Sequence, residues 1–207
     1  MASKNIGEES RAVSKGLNAK DFVFIAVFGV LLFLVFMVFS IVFSMNASSS
    51  WFTHSVGAIP AGIVWMYLLY RVPKRGAIAI MGVIVAIVGL LMGMFWSGPV
   101  GIVVGAFIAE LVLGDPKKRS TLKMCIAFAV FVFSFWLGQI SLIIVGSQAY
   151  VEMCMSVGLS AEYGQTLVDF IYSPMAIVCG ITTIIGALLG GFLGSKVFAK
   201  HFAKLNM

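Results

Sequence analysis

The chain of 207 residues is 61% hydrophobic and only 11% charged, against about 25% charged residues in an ordinary soluble domain, which leaves too little polar surface for a water-soluble globule. Its formal net charge is +6, but aromatic residues do not interleave the basic ones, so the charge does not point to nucleic acid. A mean hydropathy of +1.08, in long apolar runs separated by short polar patches, predicts a single all-α integral membrane domain over residues 1–207, a multi-pass protein of the cell membrane.

Residues 1–20 form a polar tail with Lys4, Arg11, Lys15 and Lys20. The first predicted span, 22–45, is long enough to cross a bilayer and lacks the small-residue cleavage site of a signal peptide. A connection without basic residues follows, Asn46 to Ser50, containing Ser48 and Ser49. The second span, 51–70, opens with Trp51 and His54 three apart on one face, and Arg71, Lys74 and Arg75 come after it. The third, 77–96, carries Gly89 and Gly93 four apart and ends at Trp96. The fourth, 99–113, begins at Pro99, a residue suited to a first helical turn, and aligns Gly101, Gly105 and Ala109; Glu110 lies near its end.

Lys117, Lys118, Arg119 and Lys123 mark the next connection, and the fifth span, 121–145, places Trp136 and Gln139 on one face. Residues 146–165 hold Glu152 and Glu162; periodicity fits a short interfacial helix or a lid equally. The sixth span, 166–195, is overlong and should tilt or protrude. It carries Asp169, Tyr172 and Ser173 on one face, then two rows of small residues, Gly186–Gly190–Gly194 and Ala187–Gly191–Ser195, and ends in Lys196, Lys200 and Lys204. All 14 basic residues thus fall in the two termini and the even-numbered connections. By the positive-inside rule these are cytoplasmic, giving a six-helix, N-in/C-in topology.

Lipid tails are as apolar as leucine, so membrane helices associate where small residues let backbones approach. The glycine rows serve that purpose within the chain or present a partner face, and helix six is the stronger candidate for the latter. Ionisable groups in a membrane default to functional hypotheses, and here they are few: His54, Asp169 and Glu110. In the predicted topology Trp51, His54, Trp96, Trp136, Gln139, Asp169, Tyr172 and Ser173 all fall in the outer half, where they can line one extracellular-side cavity for a small molecule. Trp51 and Trp96 fit an interfacial aromatic belt equally well. The acids Glu152, Glu162 and Asp169 lean toward a cationic or metal-chelating cargo.

Catalytic and energising motifs are missing. The sequence has no GxSxG elbow, no HExxH, no paired-carboxylate motif and no GxxxxGK[ST] phosphate loop. Cys125, Cys154 and Cys179 lie too far apart to form a CxxC site. No enzymatic activity, metal or cofactor is expected, and uphill transport would need a motor on another subunit. A stand-alone channel or secondary transporter is the alternative, although the six segments show no inverted repeat.

Several strings carry a family resemblance: Leu17-Asn18-Ala19-Lys20-Asp21-Phe22 before the first span, Pro60 followed by Val72-Pro73-Lys74-Arg75-Gly76, Ala109-Glu110-Leu111, and Lys200-His201-Phe202-Ala203-Lys204 after the glycine-rich last span. In order and spacing the chain resembles the Trep_Strep family of hydrophobic membrane proteins, regarded as S components of energy-coupling factor (ECF) importers. The resemblance implies an S-component-like bundle that binds a scarce nutrient outside and partners a transmembrane coupling protein and two cytoplasmic ATPases, toppling to release its cargo. It implies that Asn46, Ser48, Ser49 and Ser50 gate the site, and that the first helix docks the coupling protein. S components often place two alanines four apart there; this chain has Ala26 and Val30, with Gly29 adjacent. Glu110, in the Ala-Glu-Leu string, is expected to pair with Lys117, Lys118 or Arg119.

Overall fold

The computed structural model describes residues 16–205, with side chains for 16–198. Lys4, Arg11, Lys15 and the side chains of Lys200, His201 and Lys204, on which part of the charge reading rests, lie outside the described residues. Nine α-helices and one 3-10 turn are described.

α1 (Ala19–Phe43) starts at a reciprocal cap. The Asn18 side chain accepts from the Asp21 amide at 2.9 Å, and the Asp21 carboxylate accepts from the Asn18 amide at 2.8 Å, satisfying two donors that every helix start leaves open. α2 (Ala47–Ser50) is one turn, capped by Asn46, and leads through Trp51 and Phe52 into α3 (Thr53–Arg71). α4 (Ala77–Leu91) stops short of the expected residue 96. Gly93 adopts φ +85°, and the Met94 amide reaches back to the Gly89 carbonyl at 2.9 Å, a helix-ending loop that needs a left-handed residue. Gly93 therefore ends the helix rather than extending the Gly89 face. α5 (Ser97–Leu113) begins two residues before Pro99, which stays in the first turn where no intrahelical bond needs its missing N–H.

A 3-10 turn (Pro116–Lys118) and a Ser120 cap lead into α6 (Thr121–Val145). The 146–165 segment folds as α7 (Ser147–Ser156) and the start of α8 (Ala161–Tyr172). The expected single helix 166–195 is two: α8 ends at Ser173, whose ψ of 163° is extended, and α9 (Met175–Leu205) begins after Pro174. Proline disfavours helical geometry in the residue before it and donates no backbone hydrogen bond, so the apolar run breaks there.

Among the described residues four stretches are long and apolar enough to cross a bilayer: Ala19–Phe43, Ala47–Arg71, Thr121–Val145 and Met175–Phe198. α4 and α5 are apolar but shorter, 15 and 17 residues, or about 22 and 26 Å against a hydrocarbon core of about 30 Å. Large apolar side chains cover the exterior, for example Val27, Leu34 and Ile41 on α1 and Ile177, Ile185 and Phe192 on α9. Exposed apolar surface of that extent suits lipid and would aggregate in water. The chain is a multi-pass integral membrane protein.

Neighbour contacts run α1–α3–α9–α6–α5–α4 and return to α1, closing a ring, with α3 touching α6 across it. The close crossings are made by glycine. Gly101 and Gly138 meet between α5 and α6, and Gly186, Gly190 and Gly194 lie against the backbone of α3 at Ser55, Ala58 and Gly62. A side chain at any of these would collide with a facing main chain, which is why the sequence keeps them small. The row anticipated as a partner face is thus covered by α3 of the same chain. Its neighbours Ala187, Gly191 and Ser195 are buried too, Gly191 against Cys125 of α6. Gly29 packs on Met81 of α4, and Ala26 is half-buried beside it on α1.

The described basic residues gather at one end of the ring. There Lys74 Nζ meets Asp21 Oδ2 at 2.6 Å. Glu110 Oε2 accepts from the Ile78 amide at 2.9 Å, capping α4, while Oε1 meets Arg119 Nη2 at 3.3 Å. Arg119, rather than Lys117 or Lys118, is the partner of Glu110. The same Nη2 donates to the Lys74 carbonyl at 3.3 Å, so one buried guanidinium joins the α3–α4 and α5–α6 connections to the end of α5.

Candidate ligand cavity

At the end opposite the basic residues the ring opens into a cavity of about 400 Å³, within the roughly 300–1,000 Å³ range of small-molecule sites. Its walls come from the second half of α1 (Phe33, Phe36, Met37, Ser40, Ser44), the start of α3 with Ser50 and Trp51 (Thr53, His54), the 92–98 turn, α6 (Phe135, Gln139), and α7–α8 (Tyr150, Cys154, Tyr163, Leu167).

Two bonds tie α8 across this opening, and a third holds Trp51 to α9. Tyr163 donates through its hydroxyl to the Ser44 carbonyl at 2.7 Å, and Trp51 Nε1 donates to the Leu167 carbonyl at 3.2 Å. Cys179 Sγ, on α9, donates to the Trp51 carbonyl at 3.1 Å. Phe52 meets Phe170 edge-on at 5.8 Å, and Phe95 meets Tyr150 edge-on at 6.2 Å. α8 reaches the core through Gly164, Leu167 and Val168 while Glu162, Gln165 and Asp169 stay exposed, a helical period that places its charges away from the cavity.

His54 is 3% exposed and its Nδ1 has no hydrogen-bond partner. Its ring stands edge-on to Phe135 at 4.7 Å and tilted to Phe36 at 6.2 Å. A buried polar atom without a partner costs about 1–3 kcal/mol, so this one marks a place where another hydrogen-bonding group belongs. Gln139 lies beside Gly98 and makes no hydrogen bond through its amide to the described residues. None of the residues lining the cavity is Asp, Glu, Lys or Arg. Burial pushes the Tyr150 hydroxyl and the Cys154 thiol above their ordinary pKa values, so both remain neutral.

Of the residues singled out from the sequence, Trp51, His54, Gln139 and Ser50 line this cavity. Trp136 sits one layer behind it, buried between Phe133 and Gly180, its Nε1 unpartnered. Trp96 is 63% exposed and borders a shallow outer groove between α5 and α6. Asp169, Tyr172 and Ser173 do not reach the cavity. Asp169 accepts from Gln165 at 2.8 Å on the exposed side of α8, Tyr172 is 63% exposed and bonded to the Ser147 hydroxyl, and Ser173 Oγ donates to its own helix at Phe170.

Glu152 and Glu162 are exposed as well, so the acids that suggested a cationic cargo do not face the site. Asn46, Ser48 and Ser49 form the α2 turn rather than a loose loop; Asn46 caps it and Ser49 Oγ donates to the Phe43 carbonyl at 2.8 Å. Tyr150, Cys154, Tyr163 and Leu167 were missed, although each pair is spaced by four and so shares a helical face.

Among the described residues no three His, Cys, Asp or Glu side chains converge on a metal position, and none of the described serine, threonine or cysteine side chains bonds to His54. The arrangement offers aromatic walls and neutral hydrogen-bonding groups. Comparison with curated proteins and with solved structures gives no match. Residues 19–204 match the family described as a hypothetical bacterial integral membrane protein (Trep_Strep), and the chain belongs to that family.

Proposed function

We propose that this protein is the substrate-binding S component of an ECF-type importer, capturing a small nutrient in the cavity on the extracellular side. The observation that carries the reading is a cavity lined by aromatic side chains, the His54 imidazole and the Gln139 carboxamide, at the end away from the basic residues. In this reading α4 and α5 complete six crossings, both termini lie in the cytoplasm, and the cavity faces outward because lysine and arginine are kept inside. α7 and α8 cover the bound nutrient, and release requires breaking the Tyr163–Ser44 and Trp51–Leu167 ties. The sequence carries no nucleotide-binding loop, so energy comes from a transmembrane coupling protein and two cytoplasmic ATPases.

The experiment is affinity purification of the tagged chain from its native membrane, followed by transport assays in liposomes. Co-purification of a coupling protein and two ATPases, with uptake only when all are present and ATP is supplied, supports the assignment. Flux through liposomes holding this chain alone would replace it with the stand-alone transporter reading.

A further inference from the structure

The lining of the cavity restricts what it can hold. Moving an ion out of water costs several kcal/mol unless an opposite charge or a full set of hydrogen bonds replaces its hydration. No charged side chain lines the cavity, and the three acids at this end of the molecule point elsewhere. What the walls offer instead is aromatic surface from Phe36, Trp51 and Phe135 and two neutral polar side chains, the His54 imidazole and the Gln139 carboxamide. Imidazole and carboxamide each donate or accept according to tautomer and rotamer. They therefore match the edge of a heterocycle in which ring nitrogens, N–H groups and carbonyls alternate, while aromatic faces stack on its plane.

Resting on the binding role above, we propose that the cavity selects an uncharged, planar heteroaromatic molecule, recognised at its edge by His54 and Gln139 and stacked on Phe36, Trp51 and Phe135, and that it rejects anionic and cationic nutrients. The direction is opposite to the one the acid count of the sequence suggests.

The test uses the full chain in lipid nanodiscs and the low-molecular-weight fraction of yeast extract, separated on anion and cation exchangers into anionic, cationic and uncharged pools. Thermal unfolding is followed with each pool, and the compound retained by the protein is released and identified by mass and ultraviolet spectra. The uncharged pool should raise the melting temperature saturably, and the retained compound should absorb as an aromatic ring. His54→Phe, which removes the unpartnered atom and keeps the ring packing, should fold and bind the retained compound about tenfold more weakly, the effect of one lost hydrogen bond. Gln139→Leu gives the same readout from the other side of the site if His54→Phe does not fold. Stabilisation by the anionic or cationic pool instead overturns the neutral class while leaving the nutrient-binding role standing. Stabilisation by none of the pools overturns both.

Discussion

Replacing Gly190 by alanine tests how α9 is held. A Cβ there would overlap the Ala58 carbonyl oxygen and stand 2.7 Å from the Ile59 carbonyl oxygen. Atoms in good contact sit about 3.5–4.0 Å apart, so α3 and α9 must part by about 1 Å. A gap of that size forfeits a quarter to a half of each affected contact, at about 0.1–0.2 kcal/mol per atom pair, or about 1–2 kcal/mol along the seam. The Ser55 hydroxyl, 3.0 Å from Thr182 and 3.1 Å from Thr183, leaves hydrogen-bond range as well, at about 0.6 kcal/mol per interhelical bond in a membrane. Alanine returns about 1 kcal/mol through helix propensity. The net expectation is a loss of about 2 kcal/mol, within the range for overpacked sites. Gly180 supplies the control on the same helix: a Cβ there meets the Trp136 ring at 3.4 Å, an ordinary contact. Gly180→Ala should therefore be neutral, or more stable by up to about 1 kcal/mol. Reversible unfolding by SDS in bicelles measures both variants. Equal stability of the two would refute the close-crossing argument.

Three further perturbations follow from the same geometry. Glu110→Gln removes the carboxylate that meets the Arg119 guanidinium, whose side chain is 4% exposed, and should destabilise by about 3 kcal/mol in the same unfolding assay. Trp65→Phe removes the Nε1 bond to the Met124 carbonyl at 3.2 Å, whereas Trp136→Phe removes a donor that has no partner. The first should cost about 1 kcal/mol more than the second. Tyr163→Phe breaks the tie to Ser44 and should speed amide hydrogen exchange in α7 and α8 while leaving α3 and α9 protected, because local opening follows local bonding.

Composition and charge placement carried most of the fold, since apolar length and the clustering of lysine and arginine act along the chain without needing tertiary contacts. The break at Ser173–Pro174 was legible in principle but hidden by the apolar residues on both sides of it. The glycine rows were visible as smooth faces, but spacing does not say what covers such a face; Gly186, Gly190 and Gly194 turned out to lie on α3. The site was half legible. Trp51, His54 and Gln139 stood out as costly residues in an apolar setting, while Tyr163 lay in the 146–165 stretch, whose periodicity fits a lid or an interfacial helix equally, and Leu167 was one more apolar residue of the predicted sixth span. Asp169 misled because depth along a helix says nothing of the side it faces.

The reading of this protein as a capture subunit turns on the cavity opening to the outside of the cell. Ser48, exposed on the α2 turn beside the cavity mouth, and Lys118, exposed at the basic end, can each be replaced by cysteine, because the native Cys125, Cys154 and Cys179 are buried. A membrane-impermeant maleimide applied to intact cells should label Ser48→Cys and should reach Lys118→Cys only after permeabilisation. The reverse pattern would put the cavity on the cytoplasmic side and contradict nutrient capture.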